Sequence, residues 1–108
     1  MRKCCAIVLL SVMLFAADVD VGQRVYLQMM LPATQESADL FAARHTRAEW
    51  EQLLAGDASD FVAAFSHQFP ELESYFESER FGVHLPHLRA YLMEWASDSG
   101  NFKGCCVG

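Results

Sequence analysis

Phe41-Ala-Ala-Arg-His-Thr-Arg-Ala-Glu-Trp50 decides the fold, because one helix ends and the next begins within it. Thr46 followed three residues later by Glu49 forms a capping box, in which the threonine hydroxyl accepts from the Glu49 amide and the glutamate carboxylate accepts from the Thr46 amide. Phe41 and Trp50 place large apolar groups on either side of this corner. The stretch therefore predicts two helices whose relative angle is fixed here, with the other elements packed against them.

The first 17 residues are typical of a signal peptide. A basic start is followed by about a dozen apolar residues, fewer than the roughly 20 of a membrane span, and then by Ala16-Ala17 before Asp18. Phe15, three residues before that cut, departs from the small residue usual there. We predict a signal peptide over 1–17, a helical domain over 18–101 and a flexible cysteine-containing tail over 102–108. The protein is then periplasmic or secreted; an uncleaved N-terminal anchor is the alternative.

The charge balance excludes several kinds of partner. From Asp18 onward the chain has six Lys and Arg against 14 Asp and Glu, a net charge near −8. Such an acidic surface repels nucleic acid and anionic lipid headgroups. We therefore expect no nucleic-acid partner and, after signal cleavage, no membrane partner. An unknown protein or small molecule remains as the partner.

Apolar spacing predicts an all-α domain of about five short helices, since no segment shows the alternation of a half-buried strand. We expect Asp20 to cap the first helix and Pro32 to stop it, Gly56 to end the third in a left-handed conformation, Asp57 or Ser59 to cap the fourth, and Pro86 to begin the last. The expected helices cover 20–31, 35–44, 47–55, 60–68 and 86–96, with a further turn at 71–76 and a connector at 77–82. The core candidates are Met29, Met30, Phe41, Trp50, Phe61, Phe65, Phe69, Met93 and Trp95.

Three motifs resemble a family of small exported bacterial proteins that are often labelled cytochrome c or cytochrome-c-like. They are Gly22-Gln-Arg-Val-Tyr26, the Phe41–Trp50 stretch, and Tyr91-Leu-Met-Glu-Trp-Ala-Ser-Asp-Ser-Gly-Asn101. The resemblance covers most of residues 18–101 and implies a compact helical domain outside the cytoplasm, with its first and last helices packed together. It also implies that Phe69 fills space left by a disulfide present in relatives.

The haem motif of c-type cytochromes is absent from this sequence. Covalent attachment needs Cys-x-x-Cys-His, and neither Cys4-Cys5 nor Cys105-Cys106 is followed by a histidine. We therefore expect no cofactor, with haem or copper as the alternative. Non-covalent haem would take its axial ligands from His45, His67, His84 or His87 and from Met29, Met30 or Met93.

A metal site could be formed by His84, His87, Cys105 and Cys106. The two histidines are three residues apart and can share a helix face, and a soft metal would draw further ligands from the cysteines or from Met93. The alternative is that the histidines lie on a partly exposed first turn. Cys105 and Cys106 can also form a vicinal disulfide or bridge two chains into a disulfide-linked dimer.

Catalytic motifs are missing from the sequence. It has no Gly-x-Ser-x-Gly elbow and no phosphate-binding glycine loop. We therefore predict a non-enzymatic binding or interaction module of cytochrome-c-like type. A periplasmic redox or metal-handling protein is the alternative.

Overall fold

The computed structural model describes residues 18–101. This part of the chain is a compact helical domain without strands, as the spacing of apolar residues predicts. In chain order its elements are α1 (Val19–Val25), a π-helical turn (Tyr26–Met30), α2 (Leu31–Thr34), α3 (Ala38–Ala42), α4 (Arg47–Leu53), α5 (Ser59–Gln68), a 3₁₀ turn (Pro70–Leu72), α6 (Glu73–Phe76) and α7 (Glu79–Glu94). Within this range no helix is both long and apolar enough to cross a membrane.

The predicted corner between the second and third helices is confirmed. The Thr46 hydroxyl accepts from the Glu49 amide at 3.2 Å, and the Glu49 carboxylate accepts from the Thr46 amide at 2.9 Å. Trp50 is fully buried directly after this capping box, and its indole N–H donates to the carbonyl of Ala42 at 2.7 Å. The indole thus joins the start of α4 to the end of α3.

The predicted start and stop of the first helix are wrong. Asp18, not Asp20, is the N-cap, and its carboxylate accepts from the amides of Asp20 and Val21. Pro32 does not stop the helical run, which continues to Thr34 and ends at Gln35 with φ of 56°. A π-type bond from the Leu31 amide to the Tyr26 carbonyl precedes the proline, and Pro32 then occupies the first turn of α2, where a proline is tolerated.

The last helix also begins earlier than predicted. Pro86 lies inside α7, and part of the expected connector at 77–82 is helical. A proline inside a helix removes the amide that would bond to the carbonyl four residues earlier, here that of Gly82. Because Gly82 is exposed, water can satisfy that carbonyl and the helix continues.

Three smaller predictions have mixed outcomes. Gly56 adopts the expected left-handed conformation, with φ of 63°. The prediction that Asp57 or Ser59 caps the fourth helix is wrong, because the N-cap is Ala58, which has φ of 64°. The Asp57 carboxylate accepts from the Ser59 amide at 3.2 Å. The second helix is also shorter than expected, covering only Ala38–Ala42.

Aromatic side chains form most of the core. Of the nine predicted core residues, Met30, Phe41, Trp50, Phe61 and Phe65 are buried, whereas Met29, Phe69, Met93 and Trp95 are partly buried and pack against them. The rings contact one another in a continuous series, for example Phe41 with Phe65 at 5.1 Å and Phe61 with Phe76 at 5.6 Å between centroids. Burial of this apolar surface is the main force that holds the short helices together.

α1 and α7 approach each other most closely at Gly22. A β-carbon built on Gly22 would lie 2.0 Å from the His87 carbonyl oxygen and 2.8 Å from the β-carbon of Tyr91. Only a residue without a side chain fits there, because the nearest obstacle is backbone, which cannot rotate away. Glycine therefore sets the distance between the first and last helices.

Replacing Gly22 tests this contact. We expect Gly22→Ala to lower the free energy of unfolding by about 1–3 kcal/mol, because the added methyl group forces the two helices apart. Gly82→Ala is the matched control, since a β-carbon there meets no atom within 4 Å. It should raise stability by about 0.5–1 kcal/mol through helix propensity. Urea denaturation of both variants measures these changes, and equal behaviour of the two would contradict the close contact.

Candidate functional site

His84 is half-buried on α7 and is hydrogen-bonded to a tyrosine. Its Nδ1 lies 2.7 Å from the Tyr75 hydroxyl. Burial raises the pKa of Tyr75 to about 12, so the phenol is neutral. Burial lowers the pKa of His84, and the nearby charges of Arg80 and His87 lower it further. The pair is therefore a neutral phenol bonded to an imidazole that resists protonation.

His87 lies one turn further along α7 and has a different partner. Its Nδ1 accepts a hydrogen bond from the backbone N–H of Asp18 at 3.1 Å. Asp18 caps α1 through Oδ1, which lies 2.9 Å from the Asp20 amide and 3.3 Å from the Val21 amide. His87 thus contacts the first capped turn of the domain although 69 residues separate it from Asp18.

The predicted metal site is only partly covered by these observations. His84 and His87 direct their Nδ1 atoms to different groups, Tyr75 and Asp18. Cys105 and Cys106 lie outside the described residues. Between Asp18 and Asn101, no group of three or more His, Cys, Asp or Glu side chains is arranged to hold a metal ion. A site of His84, His87, Cys105 and Cys106 stays a prediction.

His45 lies at the corner between α3 and α4. Its ring packs edge-on against Trp50 at 4.8 Å, and its Nδ1 is 3.3 Å from the Glu49 carboxylate. The pKa of Glu49 is lowered, first by the Thr46 amide that it accepts from and then by His45. Both side chains line an open pocket of about 450 Å³. His67, the remaining histidine, is exposed on α5.

This pocket is lined mainly by polar side chains. They are His45, Glu49, Gln52 and Asp60, together with the apolar Leu53. Glu49 is already used as the capping residue of α4. The remaining imidazole, amide and carboxylate can bind a polar molecule.

The three methionines considered as haem ligands occupy different environments. Met30 is fully buried in the aromatic core. Met29 faces Arg80, whose guanidinium lies 4.0 Å from the methionine sulfur, in a second pocket of about 250 Å³. Met93 is partly buried, and its carbonyl accepts from the side chain of Arg47 at 3.1 Å.

A groove between the first helical run, α3 and the end of α7 is a candidate site with apolar side chains in its lining. It encloses about 320 Å³ and is lined by Gln23, Leu27, Ser37, Ala38, Asp39, Tyr91 and Trp95. Leu27 is 41% exposed there and is one of three large apolar side chains that are exposed among the described residues. Burial raises the pKa of Tyr91 to about 12, with smaller contributions from Asp39 and Tyr26, so this phenol is also neutral.

Comparison with protein-family models, with curated proteins and with solved structures found no match to this chain. The resemblance to cytochrome-c-like proteins therefore stays a prediction from the motifs quoted above.

Sequence reasoning missed both the groove and the partner of His87. Asp18 and His87 are far apart in the sequence, and nothing local marks them as neighbours. The one available signal for Asp18 was its position directly before an apolar helical pattern, where an aspartate is a strong N-cap. Trp95 was predicted to lie in the core and Leu27 was given no role, and only the tertiary fold brings both beside Tyr91 around a groove.

The lowered pKa of His84 gives a pH prediction. In the unfolded chain this histidine titrates near its ordinary 6.5, above its folded-state pKa. As the pH falls below about 6.5, the unfolded state binds a proton at His84 more readily than the folded state does. The free energy of unfolding therefore decreases, and it goes on decreasing until the pH has passed the folded-state pKa. Arg80→Gln should raise the folded-state pKa and reduce that loss.

NMR titration of the His84 ring protons measures this shift directly. Arg24→Gln is the control, because Arg24 does not contribute to the shift. An unchanged His84 pKa in Arg80→Gln, or an equal rise in both variants, would contradict the proposed cause.

Proposed function

We propose that this protein is an exported, non-enzymatic helical module that binds a partner through the groove beside Leu27. The observation that carries the proposal is the exposure of Leu27 next to the aromatic side chains of Tyr91 and Trp95. A volume of about 320 Å³ is at the lower end of the range for binding sites, enough for one or two apolar side chains.

The charge of the chain indicates the chemistry of the partner. Asp39 lies in the groove lining, and the protein carries a net charge of −6. An apolar segment with lysine or arginine on either side would fill the groove and complement this charge. The proposed partner is therefore a protein segment that is both apolar and basic.

The engagement of the polar side chains supports a non-enzymatic role. Glu49 and Asp18 cap helices, and Tyr75 bonds to His84. Arg44 forms an ion pair with Glu36 at 2.7 Å. These groups are used to fix the fold, whereas a catalytic site needs a nucleophile or acid–base pair directed at a substrate.

The cytochrome-c-like arrangement and the exported location belong to the same proposal. The close packing of α1 against α7 at Gly22 agrees with the first-to-last helix contact that the family resemblance implies. The position of Asp18 as N-cap agrees with a cut after Ala17, because removal of residues 1–17 leaves the capped first turn complete. The Cys-x-x-Cys-His motif is missing, so the proposed module carries no covalent haem.

The alternative is a periplasmic redox or metal-handling protein. Its candidate ligands on the described part of the chain are His84 and His87, which lie one turn apart on α7. A Soret band with stoichiometric haem in the protein recovered from an exporting host would favour this alternative over a haem-free binding module.

A peptide titration tests the groove. The probe is a capped hexapeptide with two leucines between two pairs of lysines, and the matched probe replaces the lysines with glutamates. We expect the basic peptide to shift the NMR amide signals of Leu27, Ala38 and Trp95, and the acidic peptide to leave them unchanged. Leu27→Asp should weaken binding at least about tenfold, because it places a polar group against the apolar contact.

Val83→Asp is the control variant for this titration. Val83 is 69% exposed on α7 and does not line the groove, so its replacement should leave binding unchanged. Shifts that spread over other surfaces, or equal weakening by both variants, would overturn the groove as the binding site.

A further inference from the structure

The side chain of Met29 is unlike that of a core methionine, because its sulfur contacts a charged group. Nη1 of Arg80 lies 4.0 Å from the sulfur and donates to it. Both side chains line the open cavity of about 250 Å³, together with Ser74, Tyr75 and Ser78. A thioether beside a guanidinium therefore lines a cavity that is open to solvent.

The π-helical turn influences where Met29 lies. It covers Tyr26–Met30 and is wider than an α-helical turn, so the residues after Tyr26 are rotated relative to a regular α-helix. Met30 is fully buried in the core, whereas Met29 is only partly buried and packs at its edge. Such turns inside helices occur frequently at functional sites. One of two adjacent methionines is thus left in the cavity beside Arg80.

We propose that Met29 is a site of reversible oxidation to methionine sulfoxide and that Arg80 holds the sulfoxide oxygen. The oxidant is hydrogen peroxide. A lone pair of the sulfur attacks one peroxide oxygen, so the S–O bond forms while the O–O bond breaks, and proton transfer to the other oxygen releases water. The sulfur loses two electrons and the peroxide gains them. This inference depends neither on the groove nor on removal of residues 1–17.

The distance between Arg80 and Met29 leaves room for one oxygen atom. A charge-assisted N–H···O bond is about 2.7–2.9 Å long, and an S–O bond set at an angle to it spans the rest of the observed 4.0 Å. A thioether sulfur is a weak acceptor, whereas oxidation makes the side chain polar. Oxidation thus replaces a weak contact with a stronger one while both side chains stay close to their present positions.

Arg80 has donors available for this oxygen. Within residues 18–101 its side chain forms no ion pair, and its hydrogen bond is to the Met29 sulfur. A guanidinium carries five N–H donors, so several remain for a second partner. The exposed position of Arg80 at the start of α7 also lets its long side chain follow a small movement of the methionine.

The stereochemistry of the sulfoxide reports whether Arg80 takes part. Oxidation at one or the other lone pair of the sulfur gives two epimers, and a separate reductase acts on each. With the side chains placed as they are here, one epimer directs its oxygen closer to the guanidinium than the other does. We therefore expect that epimer to be formed in excess at Met29.

The test treats the full chain with dilute hydrogen peroxide after its thiols have been alkylated. Peptide mass mapping measures the oxidation rate of each methionine. Each epimer-specific reductase is then applied to the digested peptides, and the fraction that it reduces gives the epimer ratio. We expect Met29 to be oxidised at least about tenfold faster than the fully buried Met30, since susceptibility follows exposure.

Arg80→Gln should abolish the excess of one epimer at Met29, because the donor that favours it is removed. Arg24→Gln is the matched control, since Arg24 does not line the cavity. Met93 is an internal control in every chain. It is also partly buried, but its contact with an arginine is made through its carbonyl, so its epimer ratio should be the same in all three chains.

A stability measurement tests the same contact independently. Peroxide treatment should lower the midpoint of urea unfolding more in Arg80→Gln than in the unaltered chain, because the sulfoxide then lacks its donor. Each chain is compared with its own untreated form. The chains have the other methionines in common, so the difference between them reports on Met29.

Oxidation of Met29 that is no faster than that of Met30 would overturn the site. Equal amounts of the two epimers at Met29, or the same excess in Arg80→Gln, would overturn the role of Arg80, and so would an equal lowering of the urea midpoint in both chains. Neither result bears on the groove, whose occupancy is measured by the peptide titration.

Discussion

The contact between Gly22 and the backbone of His87 is the constraint on which the rest of the domain depends. It brings α1 and α7 to a separation that only a glycine permits, because a β-carbon at position 22 would overlap the His87 carbonyl oxygen. The same approach places the Asp18 nitrogen against His87 and leaves Leu27 beside Tyr91 and Trp95. The placement of the groove and the contact of Asp18 with His87 therefore both depend on one helix–helix contact.

The aromatic core and the capped corner hold the short helices around that contact. Most helices here have seven residues or fewer, too short to be stable alone in water. Trp50 links the two sides of the corner through its indole bond to Ala42, and its ring lies 5.7 Å from Phe41. The guanidinium of Arg44 lies over the Phe41 ring at 5.3 Å and extends this packing toward the surface. Tertiary burial thus determines where these helices form.

Local signals in the sequence predicted local structure well. Thr46, Glu49 and Gly56 behave as predicted because a capping box and a left-handed glycine depend only on neighbouring residues. Pro32 and Pro86 do not. Pro32 falls in the first turn of α2, where a proline is tolerated, and the exposed Gly82 leaves the carbonyl opposite Pro86 open to water, so both helical runs continue. The candidate sites were beyond sequence reasoning, since Leu27 and Trp95 meet only through the tertiary fold, and so do Asp18 and His87.

The most direct test of the account is a nuclear Overhauser measurement between Gly22 and Tyr91. The position that a β-carbon of Gly22 would take is 2.8 Å from the β-carbon of Tyr91, so the Gly22 α-proton there faces the Tyr91 β-protons. The account predicts a strong cross-peak between them in the folded protein. Absence of that cross-peak, with both residues assigned, would contradict the close contact of α1 with α7 and with it the placement of the groove.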